Sequence, residues 1–175
     1  NSAVEFAKEH SILFNPGKSY GIKFSKTGEM YNGSEVFIDG KPLQWKKSGK
    51  YLGTILSSTL DSAENITAKA QSFNYKANEI MNKFKCASIS VVSKLISKYC
   101  YSYYGAVNWD LVKIKPIVVQ WNKMVRKLFR LPQTCHTCFL PIIIGHQSPK
   151  IMLTKWYINH IHTMYNSHNP VVKYI

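Results

Sequence analysis

Four basic residues in the second half of the chain form the group with the clearest chemistry, at spacings of three, one and three. They are Lys123, Arg126, Lys127 and Arg130. At helical spacing they share one face, opposite an apolar face that contains Trp121 and Val125. A cationic face of this kind suits contact with a phosphate backbone, which is held by charge and shape rather than by base sequence. The alternative is an ordinary solvated helix face.

A second candidate group is the segment Cys135-His136-Thr137-Cys138. Its two cysteines have the spacing of one half of a tetrahedral zinc site. The histidines that could complete such a site are His146, His160 and His162. Because no second CxxC pair is present, we expect packing between helices and no metal in this chain. A zinc-dependent interaction domain stays open as an alternative.

The charge of the chain favours a polyanionic partner. Its 175 residues carry 23 Lys or Arg against 9 Asp or Glu, a net charge of +14, and no acid follows Asp110. An AT-rich genome would explain part of the lysine content but not the disappearance of the acids. No apolar run approaches the roughly 18 residues of a membrane span, so nucleic acid is the better prediction than a membrane. Four scattered cysteines indicate the reducing cell interior, nuclear or cytoplasmic.

The first third of the sequence reads as short strands. After a helix end in residues 1–13, Asn15-Pro16-Gly17 marks a turn and Gly21–Ser25 a strand. Asp39-Gly40 predicts a two-residue hairpin turn whose return strand ends near Trp45. We expect a second turn over Lys46–Gly49 and a strand over Tyr51–Leu56, with Leu52, Ile55 and Leu56 in the core.

From Asp61 onward the apolar period changes from two to about 3.6, which predicts helices. Asp61 and Glu64 suggest a capping box for the first of them. The face of this long helix contains Ile66, Phe73, Ala77, Ile80 and Phe84. A second helix is expected to end at Gly105, a third to run from Pro116 until Pro132, and a fourth to start at Ser148-Pro149. The sequence thus divides into 1–57, rich in strands, and 58–175, which is helical.

An ordered series of motifs gives the chain its family resemblance. The series reads FNPGKSYGIKF, VFIDGKPLQW, KYLGTIL, KLISKYCYSYYGAVNWDL and RKLFRLPQTCHTCFLPIII. In this order, from Phe14 to Gly145, it resembles the C-terminal palm and thumb portion of reverse transcriptases of the non-LTR retrotransposon (LINE-like) type. The resemblance implies an α+β fold in which a small antiparallel hairpin region, the end of a polymerase palm, precedes an all-helical thumb-like bundle.

The resemblance also implies a function. The chain would be a fragment of an RNA-directed DNA polymerase that positions the RNA template, the DNA primer and their hybrid while a dNTP is added. The paired aspartates that bind Mg²⁺ in this family are expected just before Asn1, outside this chain, so the fragment alone should be inactive. The alternative is a non-catalytic nucleic-acid-binding module derived from a retroelement.

Individual residues receive roles from the same resemblance. Lys18, in the NPGK turn, would be catalytic, because a cation near the β- and γ-phosphates assists the departure of pyrophosphate. Lys50, Tyr51 and Gly53 of the KYLG step would hold the primer end: Lys50 by charge, Tyr51 by its ring, and Gly53 by letting the backbone approach closely. The four cations of the basic stripe would follow the backbone of the hybrid.

Overall fold

The chain has a mixed α+β fold, as the sequence predicts. A computed structural model describes residues 2–15, 17–38, 40–101, 103–169 and 172, with the backbone alone for residues 2–4. Its contacts divide the chain into Asn1–Asp61, the N-terminal unit, and Ser62–Ile175, the helical unit. The described residues form six α-helices and three sheets of two strands each.

The N-terminal unit consists of one helix and short strands. Its elements are α1 (Ser2–Glu9), β1 (Tyr20–Gly21), β2 (Phe37–Ile38), β3 (Lys41–Pro42), β4 (Gln44–Trp45), β5 (Ser48–Tyr51) and β6 (Thr54–Ser57). Strands β2 and β3 form the predicted antiparallel hairpin, with Ile38 opposite Lys41; Asp39 of its turn and Pro16 of the NPGK turn lie outside the described residues. Gly40 has a φ of +72°, which glycine adopts without steric cost.

The return strand of this hairpin does not reach Trp45. Strand β4 pairs instead with β1, in parallel. Past Pro42, the Leu43 N–H still donates to the Val36 carbonyl at 2.7 Å, and the pairing described for this hairpin ends there. Of the expected strand Gly21–Ser25, Gly21 alone is in a strand, as the second residue of β1.

The second hairpin differs from the prediction of a turn over Lys46–Gly49 and a strand over Tyr51–Leu56, and both predictions are wrong. Strands β5 and β6 pair antiparallel, and the chain reverses at Leu52-Gly53, inside the expected strand. Both turn residues have positive φ, +45° and +81°, which is the geometry of a type I′ turn. Leu52 is therefore 71% exposed at the tip, not in the core, while Ile55 and Leu56 are half-buried.

The helical unit holds the remaining elements. They are α2 (Ala63–Lys83), α3 (Ile89–Tyr99), a 3-10 turn (Ala106–Asn108), α4 (Lys115–Leu128), a second 3-10 turn (Thr137–Phe139), α5 (Leu140–Ile144) and α6 (Pro149–Tyr165). Prolines occupy the first turns of α4 and α6, as predicted. The sequence analysis did not predict α5.

Helix α3 ends at Tyr99, six residues before the expected stop at Gly105. Beyond it, Tyr101 stacks on Phe73 with ring centroids 5.8 Å apart, and Tyr103 packs edge-on against Trp109 at 5.9 Å. Residues two apart cannot share one face of a helix. An extended segment is thus needed to turn both tyrosines inward. Gly105, with a φ of +79°, precedes the first 3-10 turn instead of capping α3.

The start of α2 also differs from the prediction. Ser62 is the N-cap residue, with no capping hydrogen bond from its side chain. Its hydroxyl accepts a hydrogen bond of 3.1 Å from the backbone N–H of Asp110. The hydroxyl therefore fastens a distant loop to the helix start. The N-cap residue is Ser62 and not Asp61, the residue that the predicted capping box places there.

Two clusters of buried side chains form the core of the helical unit. The larger one joins α2, α3, α4 and α5 through Phe73, Ile96, Trp121, Val125 and Leu140, among others. The second surrounds Ile66, Tyr103, Trp109, Ile117 and Leu153. Both clusters contain residues of α2 and α4, which makes these two helices the frame of the unit.

Two tyrosines, the half-buried Tyr101 and the buried Tyr103, offer a matched test of this core. Tyr101 accepts a hydrogen bond of 2.6 Å from Trp121 Nε1, whereas the buried hydroxyl of Tyr103 has no partner among the described residues. Burial raises the pKa of Tyr101 to about 12 and that of Tyr103 further.

We predict that Tyr103→Phe raises the free energy of unfolding by about 1 kcal/mol, because it removes an unsatisfied polar group. Tyr101→Phe should lower it by about 1–3 kcal/mol, because it leaves the Trp121 N–H unpaired. Urea unfolding at pH 7 measures both. Equal losses in the two variants would contradict the assignment.

Candidate nucleic-acid interface

Helix α4 positions the basic stripe by burying its opposite face. Ile117, Trp121, Met124 and Val125 are buried, at the spacings of one helical face. Trp121 is completely inaccessible to solvent. With these side chains fixed in the core, the other face of the helix must point away from it, and that face carries the cations.

The four predicted cations line one groove. It has a volume of about 670 Å³, and its walls are Lys123, Arg126, Lys127, Arg130, Leu131 and Gln133. The stripe at spacings of three, one and three is thus gathered in space, as its periodicity predicts. Among the described residues that form the walls there is no carboxylate. The groove is consequently a concentrated patch of positive charge.

Arg126 is the most constrained of the four. One guanidinium nitrogen, Nη2, donates a hydrogen bond of 2.8 Å to the backbone carbonyl of Cys135. Its Nε is buried and has no hydrogen-bond partner among the described residues. A carbonyl acceptor orients the guanidinium without neutralising it. The group therefore keeps its full charge in a fixed position at the groove.

Lys127 is likewise oriented by a hydrogen bond to a neutral acceptor, which belongs to α2. Its Nζ donates a hydrogen bond of 2.5 Å to Oδ1 of Asn78 on α2. Asn78 is itself positioned by its amide nitrogen, which donates to the Asn74 carbonyl at 2.8 Å. The partner is again neutral, so the ammonium charge remains available to an anion.

Arg130 lies at the end of α4 in a backbone conformation that normally belongs to glycine. Its φ is +52°. The N–H of Leu131 donates to the Arg126 carbonyl at 2.8 Å, and that of Arg130 to the Lys127 carbonyl at 3.3 Å. These two bonds make a Schellman motif with Arg130 at the C′ position. A side chain at this position costs steric energy, so the arginine is not there for the stability of the helix end.

Lys123, Lys127 and Arg130 are exposed, and Arg126 is half-buried. None of the four cations forms an ion pair within the described part of the chain; the ion pair seen on α2 joins Lys83 and Glu79 at 2.6 Å. Four cations, two of them oriented by neutral partners and none beside a carboxylate of the groove walls, suit a ligand that brings its own negative charges.

In the N-terminal unit, Lys50, Tyr51 and Gly53 lie at the β5–β6 hairpin. Lys50 and Tyr51 end β5, and the Tyr51 side chain is 63% exposed. A side chain added at Gly53 would meet no atom within 4 Å. Gly53 is therefore required for its φ of +81°, and the space beside its backbone is open.

A close contact within the unit occurs at Gly49, which the sequence analysis did not single out. The ring of Tyr20 lies so near the Gly49 backbone that any side chain there would overlap it. The Tyr20 hydroxyl donates a hydrogen bond of 2.6 Å to the Lys50 carbonyl. Tyr20 thus joins the segment that follows the NPGK turn to the hairpin.

Lys18 is exposed, two residues before Tyr20. Its backbone N–H donates to the Asn15 carbonyl at 3.0 Å, and Ser19 donates to the same carbonyl at 3.1 Å. These bonds close the predicted turn and leave the Lys18 side chain directed to solvent. The hydrogen bond from the Tyr20 hydroxyl to the Lys50 carbonyl connects the segment after this turn to β5.

The cysteine segment is arranged around its own histidine. Nδ1 of His136 lies 2.9 Å from Sγ of Cys138, while the Cys135 thiol faces the His136 carbonyl at 3.9 Å. Among the residues that the structure describes, no three His, Cys, Asp or Glu side chains converge on a point where a metal could bind. The zinc alternative therefore has no structural support in the described ranges.

Comparison of the chain with known protein families, with curated proteins and with solved structures finds no match.

Within the described residues, no helix has both the length and the apolar character needed to cross a membrane. The sequence analysis missed Gln133, which lines the groove, and it missed Asn78 and Cys135, which hold Lys127 and Arg126. Nothing in a single sequence links positions 78 and 127.

We predict that Arg130→Gly raises the free energy of unfolding by about 0.5–1 kcal/mol, since glycine fits the left-handed C′ position without strain. Lys123→Gly is the matched control. It removes an equal charge from the same groove but lies inside the helix, and should cost about 1 kcal/mol. Urea unfolding of the whole chain compares the two. A loss of stability in Arg130→Gly would contradict the account of this helix end.

Proposed function

We propose that the helical unit binds the sugar-phosphate backbone of an RNA–DNA hybrid in the groove of α4. The observation that carries this proposal is the gathering of Lys123, Arg126, Lys127 and Arg130 around one groove that contains no carboxylate among its described walls. The contacts would be to phosphate and sugar, and therefore largely independent of base sequence.

The neutral partners of Arg126 and Lys127 support a binding role. If these cations served the fold, carboxylate partners would serve it better, because charge-assisted hydrogen bonds are stronger than those to neutral acceptors. The Cys135 carbonyl and the Asn78 amide hold the two side chains in place instead. Such preorganisation lowers the entropy that the side chains lose when they bind.

For the N-terminal unit we propose a place at the end of a polymerase palm. Lys50, Tyr51 and Gly53 would seat the primer end, with the exposed Tyr51 ring against a sugar. Lys18, at a closed and exposed turn, would approach the phosphates of the incoming dNTP. Ala7 and Ser58 are the buried residues in the described part of this unit. Several large apolar side chains stay exposed, among them Phe6, Phe24 and Phe37, which supports an origin in a larger domain that covers them.

Polymerisation in this family uses Mg²⁺ held by paired aspartates. The described residues of this chain do not offer a metal site, so in this proposal the metal-binding carboxylates belong to sequence outside it. The chain would position primer, hybrid and leaving group, and would not form phosphodiester bonds alone.

The second candidate is a non-catalytic nucleic-acid-binding module derived from a retroelement. The groove of α4 supports it equally, because the groove needs no catalytic partner. The coding sequence upstream of Asn1 separates the two. An aspartate pair in a strand-turn-strand there favours the polymerase, and a start codon in its place favours the module.

We predict that changing Lys123, Arg126, Lys127 and Arg130 together to Gln weakens binding of an RNA–DNA hybrid by the whole chain. Each lost phosphate contact should reduce the slope of log K against log salt concentration by about 0.7–0.9, so the four together by about 3. Fluorescence anisotropy across a salt series gives both quantities, and circular dichroism checks the fold.

The control changes Lys8, Lys23, Lys26 and Lys41 of the N-terminal unit to Gln, all of them exposed. This variant loses the same net charge but leaves the groove intact, and its affinity and salt slope should stay near those of the unmodified chain. If the two variants bind equally, general charge attraction explains the binding and the groove is not the site.

A further inference from the structure

A second depression adjoins the groove of α4. It has a volume of about 550 Å³ and lies between the end of α2, the start of α3 and the end of α4. Lys127 and Arg130 line both the groove and this depression. A ligand held in the groove by these two cations can therefore extend into the depression without leaving the surface. We call it the side pocket.

The side pocket differs from the groove in its chemistry. Phe84, Ile89, Val92 and Phe129 give it apolar walls, whereas the groove is lined mainly by cations. A duplex backbone is polar and charged along its length, so apolar walls do not favour its binding. The flat apolar face of an unpaired nucleobase, by contrast, stacks on exposed aromatic rings.

Phe84 is the ring best placed for stacking. The sequence periodicity assigns it to the buried face of α2, yet it is 43% exposed. It forms the C-cap of α2, and its N–H donates to the Ile80 carbonyl at 3.0 Å. Its carbonyl accepts from the Ala87 N–H at 3.1 Å, so the turn that carries the ring is closed on both sides. The exposed ring is thus presented from a fixed backbone.

Polar groups surround this ring. Asn82 and Lys85, both exposed, belong to the same lining. An asparagine amide has donors and an acceptor that can pair with the edge of a base, and Lys85 adds a third cation beside Lys127 and Arg130 for the adjoining phosphate. Among the described residues that line the pocket there is no carboxylate to repel a phosphate.

The volume of the side pocket suits a single nucleotide, since pockets of about 300–1,000 Å³ hold small molecules. Resting on the proposed function, we propose that the side pocket receives an unpaired nucleotide at the end of the hybrid bound in the groove. Its base stacks on Phe84 while Lys85, Lys127 and Arg130 hold its phosphates.

The test compares a blunt RNA–DNA hybrid with the same hybrid that carries a short single-stranded extension, using the whole chain and fluorescence anisotropy. Since stacking on one aromatic ring contributes about 1–3 kcal/mol per base, the extension should tighten binding between about fivefold and about a hundredfold. Phe84→Ala and Phe84→Leu should abolish this gain and leave blunt binding unchanged, whereas Phe84→Trp should retain it. A 2-aminopurine in the extension should lose fluorescence on stacking in the unmodified chain and not in Phe84→Leu.

Tyr165→Ala is the control, because Tyr165 is an aromatic residue 83% exposed on α6 that lines neither depression. It should bind both substrates like the unmodified chain. If the unmodified chain binds the blunt hybrid but gains nothing from the extension, or if Phe84→Leu weakens both substrates equally, the side pocket is not a nucleotide site. If the chain binds neither substrate, the proposed function of the groove falls as well.

Discussion

The burial of Trp121 in the cluster that joins α2, α3, α4 and α5 is the constraint on which the helical unit depends. This side chain is completely buried, and its N–H is bonded to the Tyr101 hydroxyl. Helix α4 therefore has one permitted rotation about its axis. A helix turned by a single residue, about 100°, would push lysine and arginine into an apolar core at great cost. The apolar face thus decides where the charges go.

Within that frame, the cations are positioned by partners that leave their charge intact. Ion pairs would have fixed Arg126 and Lys127 equally well, but they would have cancelled the field that the groove projects. A backbone carbonyl and an amide oxygen fix the geometry without that loss. Arg130 extends the same logic to the backbone, because it occupies a position that glycine would fill with less strain. At Arg126, Lys127 and Arg130 the positive charge of the surface is kept although another residue or partner would stabilise the fold more.

The features that sequence could predict are those that repeat. The helical period predicted α2, α4 and α6, and it placed the four cations of α4 on one face. Pro116 and Pro149 marked the helix starts. The features that it missed depend on tertiary contacts or on unusual backbone conformations. The Leu52-Gly53 turn needs a leucine at positive φ, against its preference. Helix α3 ends early, at Tyr99, because Tyr101 and Tyr103 both face the core, which two residues at this spacing cannot do in a helix.

Phe84 and Asn78 show the same limit at the site itself. Phe84 continues the apolar period of α2, but the helix ends there and its ring stays exposed. Asn78 has no period to follow, and its bond to Lys127 spans 49 residues. The roles of Lys18, Lys50, Tyr51 and Gly53 came from the family resemblance, and they remain predictions.

The absence of any acid after Asp110 has a thermodynamic consequence. Unscreened cations crowded on one helix repel one another, and this repulsion works against the folded state. Dissolved salt should then have opposite effects on the folding equilibrium and on the binding of a polyanion. It strengthens the unliganded fold by screening the repulsion, and it weakens the hold on a polyanion. A bound polyanion, by contrast, relieves the repulsion and raises the melting temperature, and the rise continues with the logarithm of its concentration after the site is full.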